Sequence, residues 1–286
     1  MTNSIEIRGL CKSYGDFALR DVSLTLPSGA IMGLIGENGA GKTTTIKCIL
    51  NLIGRDGGQI TLLGRDNITE ERLVKQDIGL VLDECFFHDS LRPRDLNDIL
   101  APVYQSWDRE LFAAYLSKFG LPEGKRIKEF SRGMKMKLSL SAALAHRPKL
   151  LILDEATSGL DPVVRDEILD EFLSFIQDEE HSILLSSHIT SDLEKVCDYI
   201  TYLHAGQVIL SGVKDDILES YGRVGFSADR LAHIAPGELL RVRRGAYGCE
   251  GLTLDRAAFQ KNHPDLTVDP ASLEDIMLFM GRGDAV

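Results

Sequence analysis

Unbroken apolar runs and alternating runs divide this chain into segments of different kinds. Ile31, Met32, Gly33, Leu34 and Ile35 form one unbroken run, Leu150 to Leu153 form another, and Ile183 to Ser187, apolar over its first three residues, reads as a third strand. Runs this short and this apolar predict strands buried on both faces, as in a parallel sheet. Ile5-Glu6-Ile7 and Leu19 to Leu26 alternate with period two instead, which predicts an antiparallel subdomain with one wet face. Between these kinds of strand, residues from about 83 to 146 read as helix-rich, with candidates over Leu96 to Tyr104, Trp107 to Phe119 and Arg132 to about Ala145. Pro93, Gly120, Pro122 and Pro148 punctuate them. A helix from Thr44 to Leu50 follows the first buried run. Asp161-Pro162 reads as N-cap and first helical position, continued at helical spacing by Ile168, Leu169, Phe172, Leu173 and Ile176.

Further along, Ile200 to Leu203 and Gln207 to Leu210, joined at Ala205-Gly206, read as a hairpin, and Val213 to Ser220 as a short helix. From Gly222 the texture changes, with alternation over Leu239 to Arg243 and a final amphipathic helix capped by Ser272. The expected organisation is a main domain over 1–221 and a small accessory region over 222–286, which either braces an assembly or packs on the main domain.

Composition narrows the class. The 286 residues, 44% hydrophobic and 26% charged, can bury a sizeable core. A net charge of −11 works against a nonspecific grip on nucleic acid or anionic lipid. No stretch approaches the roughly 18 to 20 apolar residues of a spanning helix, and the start MTNSIEIRG has neither a basic n-region nor an apolar h-region, so a cytosolic chain is expected. Cys11, Cys48, Cys85, Cys197 and Cys249 stand singly with no C-x-x-C pair, which suits small packing residues in a reducing compartment.

The chemistry concentrates after the first buried run. Gly36 to Thr43 read G-E-N-G-A-G-K-T and fill the phosphate-loop template. Its glycines let backbone N–H groups converge on a phosphate, and the following helix turns its positive end toward the same anion. The candidate nucleotide contacts are Gly36, Asn38, Gly39, Ala40, Gly41, Lys42, Thr43 and Thr44, with Lys42 reaching the β- and γ-phosphates and the Thr43 hydroxyl on Mg²⁺. The run ending at Leu153 presents Asp154 and Glu155 where a parallel sheet exposes catalytic groups; Asp154 would hold Mg²⁺ and Glu155 would polarise the attacking water. An acidic pair after a strand also suits a solvated loop, but not beside Lys42 in the same chain. His188, at the end of the next buried run, is either structural or a γ-phosphate contact.

The order of these elements resembles the ATP-binding cassette of ABC transporters from about Ile5 to Tyr221. Phe130-Ser131-Arg132-Gly133-Met134 stands where that family has its L-S-G-G-Q signature, Ser158-Gly159-Leu160-Asp161 resembles its D-loop, His188 its switch histidine, and Tyr14 its adenine-stacking aromatic. By the residues alone Tyr14 also suits core or edge packing. The resemblance implies an α/β fold: a P-loop NTPase cassette with a RecA-like parallel-sheet core, an antiparallel β subdomain, a helical signature subdomain and a small C-terminal α+β appendage. It implies a dimer that sandwiches two ATP and Mg²⁺, each nucleotide between one subunit's phosphate loop and the other's Ser131 and Gly133, with Asp161 at the seam. Ser131 capping a helix would add an anion-attracting N-terminus there.

Two positions depart from that family's pattern. Arg132 and Met134 replace a Gly and a Gln, and Arg132 either helps neutralise ATP or faces the coupling surface. Asp83 stands where many cassettes have a metal-sensing Gln, and as a carboxylate it is a candidate Mg²⁺ ligand. Both departures resemble the branch whose membrane partner is a separate ABC-2-type subunit, including exporters of antimicrobial or amphipathic peptides such as phenol-soluble modulins. A coupling helix of that subunit would enter a groove near Asp83 to Asp89, where Phe86, Phe87 and His88 are either its apolar contacts or buried packing. The implied location is the cytoplasmic face of the membrane, held there through the permease. The alternatives are a soluble ABC-type ATPase acting on ribosomes or DNA, whose tandem cassettes, coiled coils or zinc cysteines are not visible here, and a phosphate-loop kinase or GTPase, which leaves Ser131 unexplained.

Overall fold

The computed structural model describes residues 3–245 and 248–285. They divide into two compact units, residues 1–209 and 210–286. The first opens with β1 (Asn3–Tyr14), β2 (Phe17–Pro27), β3 (Ile31–Ile35), α1 (Lys42–Ile49), β4 (Gly57–Leu62), β5 (Arg65–Asp66), α2 (Glu71–Val74) and β6 (Ile78–Val81). It continues through α3 (Pro93–Leu100), α4 (Arg109–Lys118), α5 (Arg132–Leu144), β7 (Leu150–Asp154), α6 (Pro162–Phe175), β8 (Ser182–Ser187), α7 (Thr190–Val196), β9 (Tyr199–His204) and β10 (Gln207–Val213), whose last four residues fall past the boundary at 209. No helix of the described residues is long and apolar enough to cross a membrane.

The apolar runs sort as their periodicity requires. β3, β7 and β8 are buried at every residue and sit side by side in a six-stranded sheet of order β10-β9-β3-β8-β7-β6. Within it β9, β3, β8, β7 and β6 run parallel, which brings the carboxyl ends of β3, β6, β7 and β8 to one edge. The alternating strands β1 and β2 join β4 and β5 in an antiparallel sheet of order β2-β1-β4-β5. Ile5, Ile7, Leu24 and Leu26 from that sheet, Met32 and Leu34 from β3 and Ile46 and Ile49 from α1 share one core. α1 is thereby fixed between the two sheets with its first turn at the carboxyl edge of the parallel one.

The segment between β6 and β7 is helical and has its own core, built from Leu96, Phe112, Leu116, Leu138 and Ala142. Capping sets its boundaries. The Asp108 carboxylate accepts from the Leu111 N–H at 2.8 Å and starts α4 at Arg109, two residues after the expected start. Pro93 occupies the first position of α3, and the Asp95 carboxylate accepts from the Arg92 N–H at 2.9 Å, so this helix starts before Leu96 and ends by Leu100 rather than Tyr104. Ser131 caps α5 by accepting from the Met134 N–H at 3.3 Å. α1 begins at Lys42, not Thr44, because the Gly41 carbonyl already accepts from the Thr45 N–H at 2.8 Å and from its hydroxyl at 2.9 Å.

The second unit carries α8 (Lys214–Ser220), β11 (Gly222–Phe226), β12 (Arg241–Gly245), β13 (Gly248–Thr253), α9 (Arg256–Asn262), β14 (Val268–Pro270), α10 (Leu273–Arg282) and β15 (Asp284–Ala285). Its strands form an antiparallel sheet of order β14-β11-β13-β12-β15. Val224, Leu239, Val242 and Phe259 make its core. Ser272 and Asp275 exchange hydrogen bonds as a capping box at the start of α10.

In the helical subdomain, His146 is 1% exposed, stacks on Tyr104 with centroids 4.0 Å apart and sets Nδ1 3.2 Å from the Gln76 carbonyl. Burial pushes its pKa down from 6.5 to about 4. The unfolded chain therefore binds a proton that the fold refuses between those values, so stability is fully present above pH 6.5 and is lost as pH falls toward 4. The loss amounts to about 3 kcal/mol. His146→Phe keeps the stacking and removes the titrating group, so urea unfolding at pH 7 and pH 4.5 should show a smaller acid loss in the variant. Equal losses in both proteins would remove His146 as the cause.

Candidate functional site

A cavity of about 550 Å³ opens at the carboxyl edge of the parallel sheet, lined by Glu37, Asn38, Gly39, Gly41, Lys42, Thr43 and Thr44 of the loop and the start of α1. Asp83, Arg132, Glu155, Ser158, His188 and Phe17 also line it. Its size suits a nucleotide. The loop from Gly36 to Gly41 can take this path because of its glycines. A Cβ at Gly36 would stand 2.4 Å from the Leu203 carbonyl oxygen. Gly41 has φ 110°, and a Cβ there would stand 2.6 Å from Leu19 and 2.9 Å from Phe17. Gly41 gives α1 no side-chain cap, so the first N–H groups of the helix stay available to an anion.

Lys42 is 6% exposed, and its ammonium is held from two directions. It donates to the Gly36 carbonyl at 2.7 Å and lies 3.4 Å from Glu155 Oε1. The other oxygen of Glu155 lies 2.6 Å from His188 Nδ1. One carboxylate thus links the phosphate-loop lysine to the histidine after β8, across strands that are far apart in sequence. Glu155 can do this because it leaves β7 with φ 53°, a left-handed backbone unusual for a residue with a Cβ. Its N–H donates to the Ser186 carbonyl at 3.0 Å, which holds the turn.

The expected site residues are distributed unevenly. Asn38, Gly39, Gly41, Lys42, Thr43, Thr44, Asp83, Glu155 and His188 meet in the one cavity. Gly36 and Ala40 form the buried floor of the loop, where the Ala40 carbonyl accepts from the Gly206 N–H at 3.0 Å. Asp154 is 2% exposed, and its carboxylate accepts a hydrogen bond from the Ser186 hydroxyl. Ser131, Gly133 and Asp161 do not line the cavity. Asp161 caps α6, accepting from the Val163 and Val164 N–H groups at 3.2 and 3.1 Å. Tyr14 sits at the end of β1, 45% exposed, with Lys12 Nζ 5.2 Å from its ring centre. Its cross-strand partner Phe17 is the aromatic that reaches Gly41 and the cavity.

Sequence reasoning missed Phe17 and Glu37, and it left the position of Arg132 open. Only the Tyr14-Gly-Asp-Phe17 spacing, a two-residue turn flanked by aromatics, signalled Phe17 in advance. The oxygen donors Thr43 and Asp83 on the cavity wall suit Mg²⁺, which is commonly bound through one or two carboxylates with phosphates and water completing its shell.

Residues 19–158 match the model of the ABC transporter family. The ABC transporter ATP-binding protein YtrB of Bacillus subtilis is 34% identical over 232 residues, which are 81% of this chain and 79% of YtrB. The chain belongs to the ATP-binding subunits of ABC transporters. The lantibiotic transport ATP-binding protein SrtF of Streptococcus pyogenes is also similar, 34% identical over 72% of this chain and 89% of its own length. A solved ATP-binding subunit of an ABC transporter superposes with TM-score 0.67 at 28% identity, covering 74% of this chain and 91% of that one. This cassette accordingly binds ATP and hydrolyses it to drive transport, and the readings as a ribosome- or DNA-acting ATPase, a kinase or a GTPase lose their ground.

Gly41→Ala is the sharpest test of the loop. The methyl must displace Leu19 and Phe17 from a backbone angle that Ala itself disfavours, so stability should fall by about 1 to 3 kcal/mol. ATP affinity, read with a fluorescent nucleotide, should drop at least roughly tenfold as the N–H cradle is distorted. Unchanged affinity would mean that the backbone of Gly41 does not shape the phosphate site.

Proposed function

We propose that two copies of this cassette close face to face on two Mg²⁺·ATP and reopen after hydrolysis, driving a separate membrane-spanning subunit of the ABC-2 type. The observation that carries the reading is the Glu155 carboxylate, 3.4 Å from Lys42 Nζ and 2.6 Å from His188 Nδ1 at the mouth of the phosphate loop. A triphosphate competes with Glu155 for the Lys42 ammonium, because both are anions and the phosphates bring more charge. Losing that partner frees Glu155 to accept a proton from the attacking water, while His188 is left to contact the γ-phosphate. The same exchange couples nucleotide arrival to arming of the base.

In this reading Thr43, Asp83 and Asp154 would hold Mg²⁺, which would supply charge neutralisation at the phosphates. The adenine stacks at the β1–β2 hairpin on Tyr14, and Phe17 lines the cavity beside Gly41. Ser131 and Gly133, at the capped start of α5, serve the partner's ATP across the seam, with Asp161 beside them. Residues 1–221 act as the cassette and 222–286 as an accessory region. The cargo is a peptide or amphipathic compound moved outward, supported by the name of the lantibiotic transport relative. The cassette then works at the cytoplasmic face of the membrane, held through its permease.

Glu155→Gln removes the proton acceptor and keeps the shape. ATP turnover should fall by at least roughly a hundredfold, ATP affinity should stay within a few-fold, and the protein should sediment as an ATP-dependent dimer. Turnover at the wild-type rate in a clean preparation would take Glu155 out of the mechanism. A strictly monomeric variant with ATP bound would remove the face-to-face arrangement.

A further inference from the structure

Tyr14 ends β1 at the tip of a hairpin, and the residues just before it are gripped by a carboxylate from a distant segment. Asp56 lies in the loop between α1 and β4. Its Oδ2 accepts from the Ser13 N–H at 2.7 Å, its Oδ1 accepts from Lys12 Nζ at 3.0 Å, and its own N–H donates to the Cys11 carbonyl at 2.8 Å. Three consecutive residues of β1 are thereby tied to one residue of another loop. The Ser13 N–H first, and then Lys12, hold the Asp56 carboxyl below its usual range, so the grip is that of an anion at neutral pH. The Lys12 ammonium lies over the Tyr14 ring, 5.2 Å from its centre, and so touches both the carboxylate and the aromatic face. The ring itself is 45% exposed, which leaves surface for a second flat partner.

The grip extends back to α1. Arg55, next to Asp56, donates Nη1 to Asn67 Oδ1 at 2.6 Å and Nε to the Gly58 carbonyl at 3.0 Å. Asn67 is buried and donates its amide to the Cys48 and Ile49 carbonyls at 3.0 and 2.9 Å. Both carbonyls belong to the last turn of α1, where intrahelical donors run out. A continuous path of polar contacts therefore runs from the end of α1 through Asn67, Arg55 and Asp56 to the ring of Tyr14. The other end of α1 is Lys42, on the phosphate loop. The path holds an exposed ring at a set place relative to the phosphate site, although neither Asp56 nor Lys12 lines that cavity.

We propose that Asp56 and Lys12 are positioning residues for the base of the nucleotide: they hold the Tyr14 ring for stacking and set the affinity for adenine without touching the phosphates. The proposal rests on the reading of Tyr14 as the adenine-stacking residue and goes beyond it by assigning what holds that ring. Ordering the ring before the nucleotide arrives removes part of the entropy cost of stacking. An ammonium on one face also draws electron density from the ring, which favours stacking against an electron-rich purine.

The test is calorimetry on the full chain with Mg²⁺ and either a non-hydrolysable ATP analogue or inorganic tripolyphosphate, which has the phosphates and no base. Asp56→Asn and Lys12→Met should each weaken the analogue roughly fivefold and leave tripolyphosphate within about twofold. Tripolyphosphate binding thus doubles as the check on folding. Lys12→Arg keeps a cation over the ring and within reach of Asp56, so it should bind the analogue within about twofold of the unaltered protein. Tyr14→Ala should weaken the analogue roughly tenfold, and adding Asp56→Asn to it should cost less than about twofold more, because Asp56 acts through the ring. A loss in Tyr14→Ala with full analogue affinity in Asp56→Asn and Lys12→Met would overturn the proposal and leave the adenine reading standing. Full affinity in Tyr14→Ala would remove the adenine reading and the proposal with it. Equal losses for both ligands, or a fivefold further loss in the double variant, would show a structural role for Asp56 and overturn the proposal.

Discussion

The contact on which this molecule's chemistry depends is the one between the Lys42 ammonium and the Glu155 carboxylate. Neither group is stable alone at that depth, because a nearly buried cation requires an anion or strong dipoles close by. The Gly36 carbonyl and Glu155 supply them together. A polyphosphate offers the lysine a stronger partner, so the same burial that requires the contact also makes it exchangeable. The site is held together by an interaction that its ligand is built to break.

Everything around that contact is arranged to hold its two ends at fixed separation. Lys42 rides on α1, which is fixed between two sheets by Ile46 and Ile49. Glu155 leaves a strand with no exposed residue and is locked by a hydrogen bond to Ser186 on the neighbouring strand. His188 follows that neighbouring strand directly. Parallel pairing of β3, β8 and β7 carries all three groups to the same edge. The parallel sheet thus converts three distant segments into one rigid frame, consistent with ligands binding beyond the carboxyl ends of such strands.

The helical subdomain differs in kind. Its core of Leu96, Phe112, Leu116 and Leu138 is separate from the one that holds α1. It reaches the nucleotide cavity through single side chains, of which Arg132 is the longest. A subdomain with its own core can respond to the nucleotide as a body, whereas the sheet edge cannot.

Much was legible in the chain because it was local. G-E-N-G-A-G-K-T named the ligand, the unbroken runs named the parallel strands, and Ser131, Asp161 and Ser272 marked helix starts that capping then fixed. Each of these follows from bonds and contacts within a few residues. The place of Phe17 was not local: it is the cross-strand partner of Tyr14, and only the approach of the hairpin to Gly41 and Gly206 brought it into the cavity. The side on which Arg132 lies was likewise settled by contact with Gly159, at a sequence separation no periodicity can span. Local chemistry determined which groups this protein owns; the packing of distant segments, which depends on every buried side chain at once, decided which of them share a cavity.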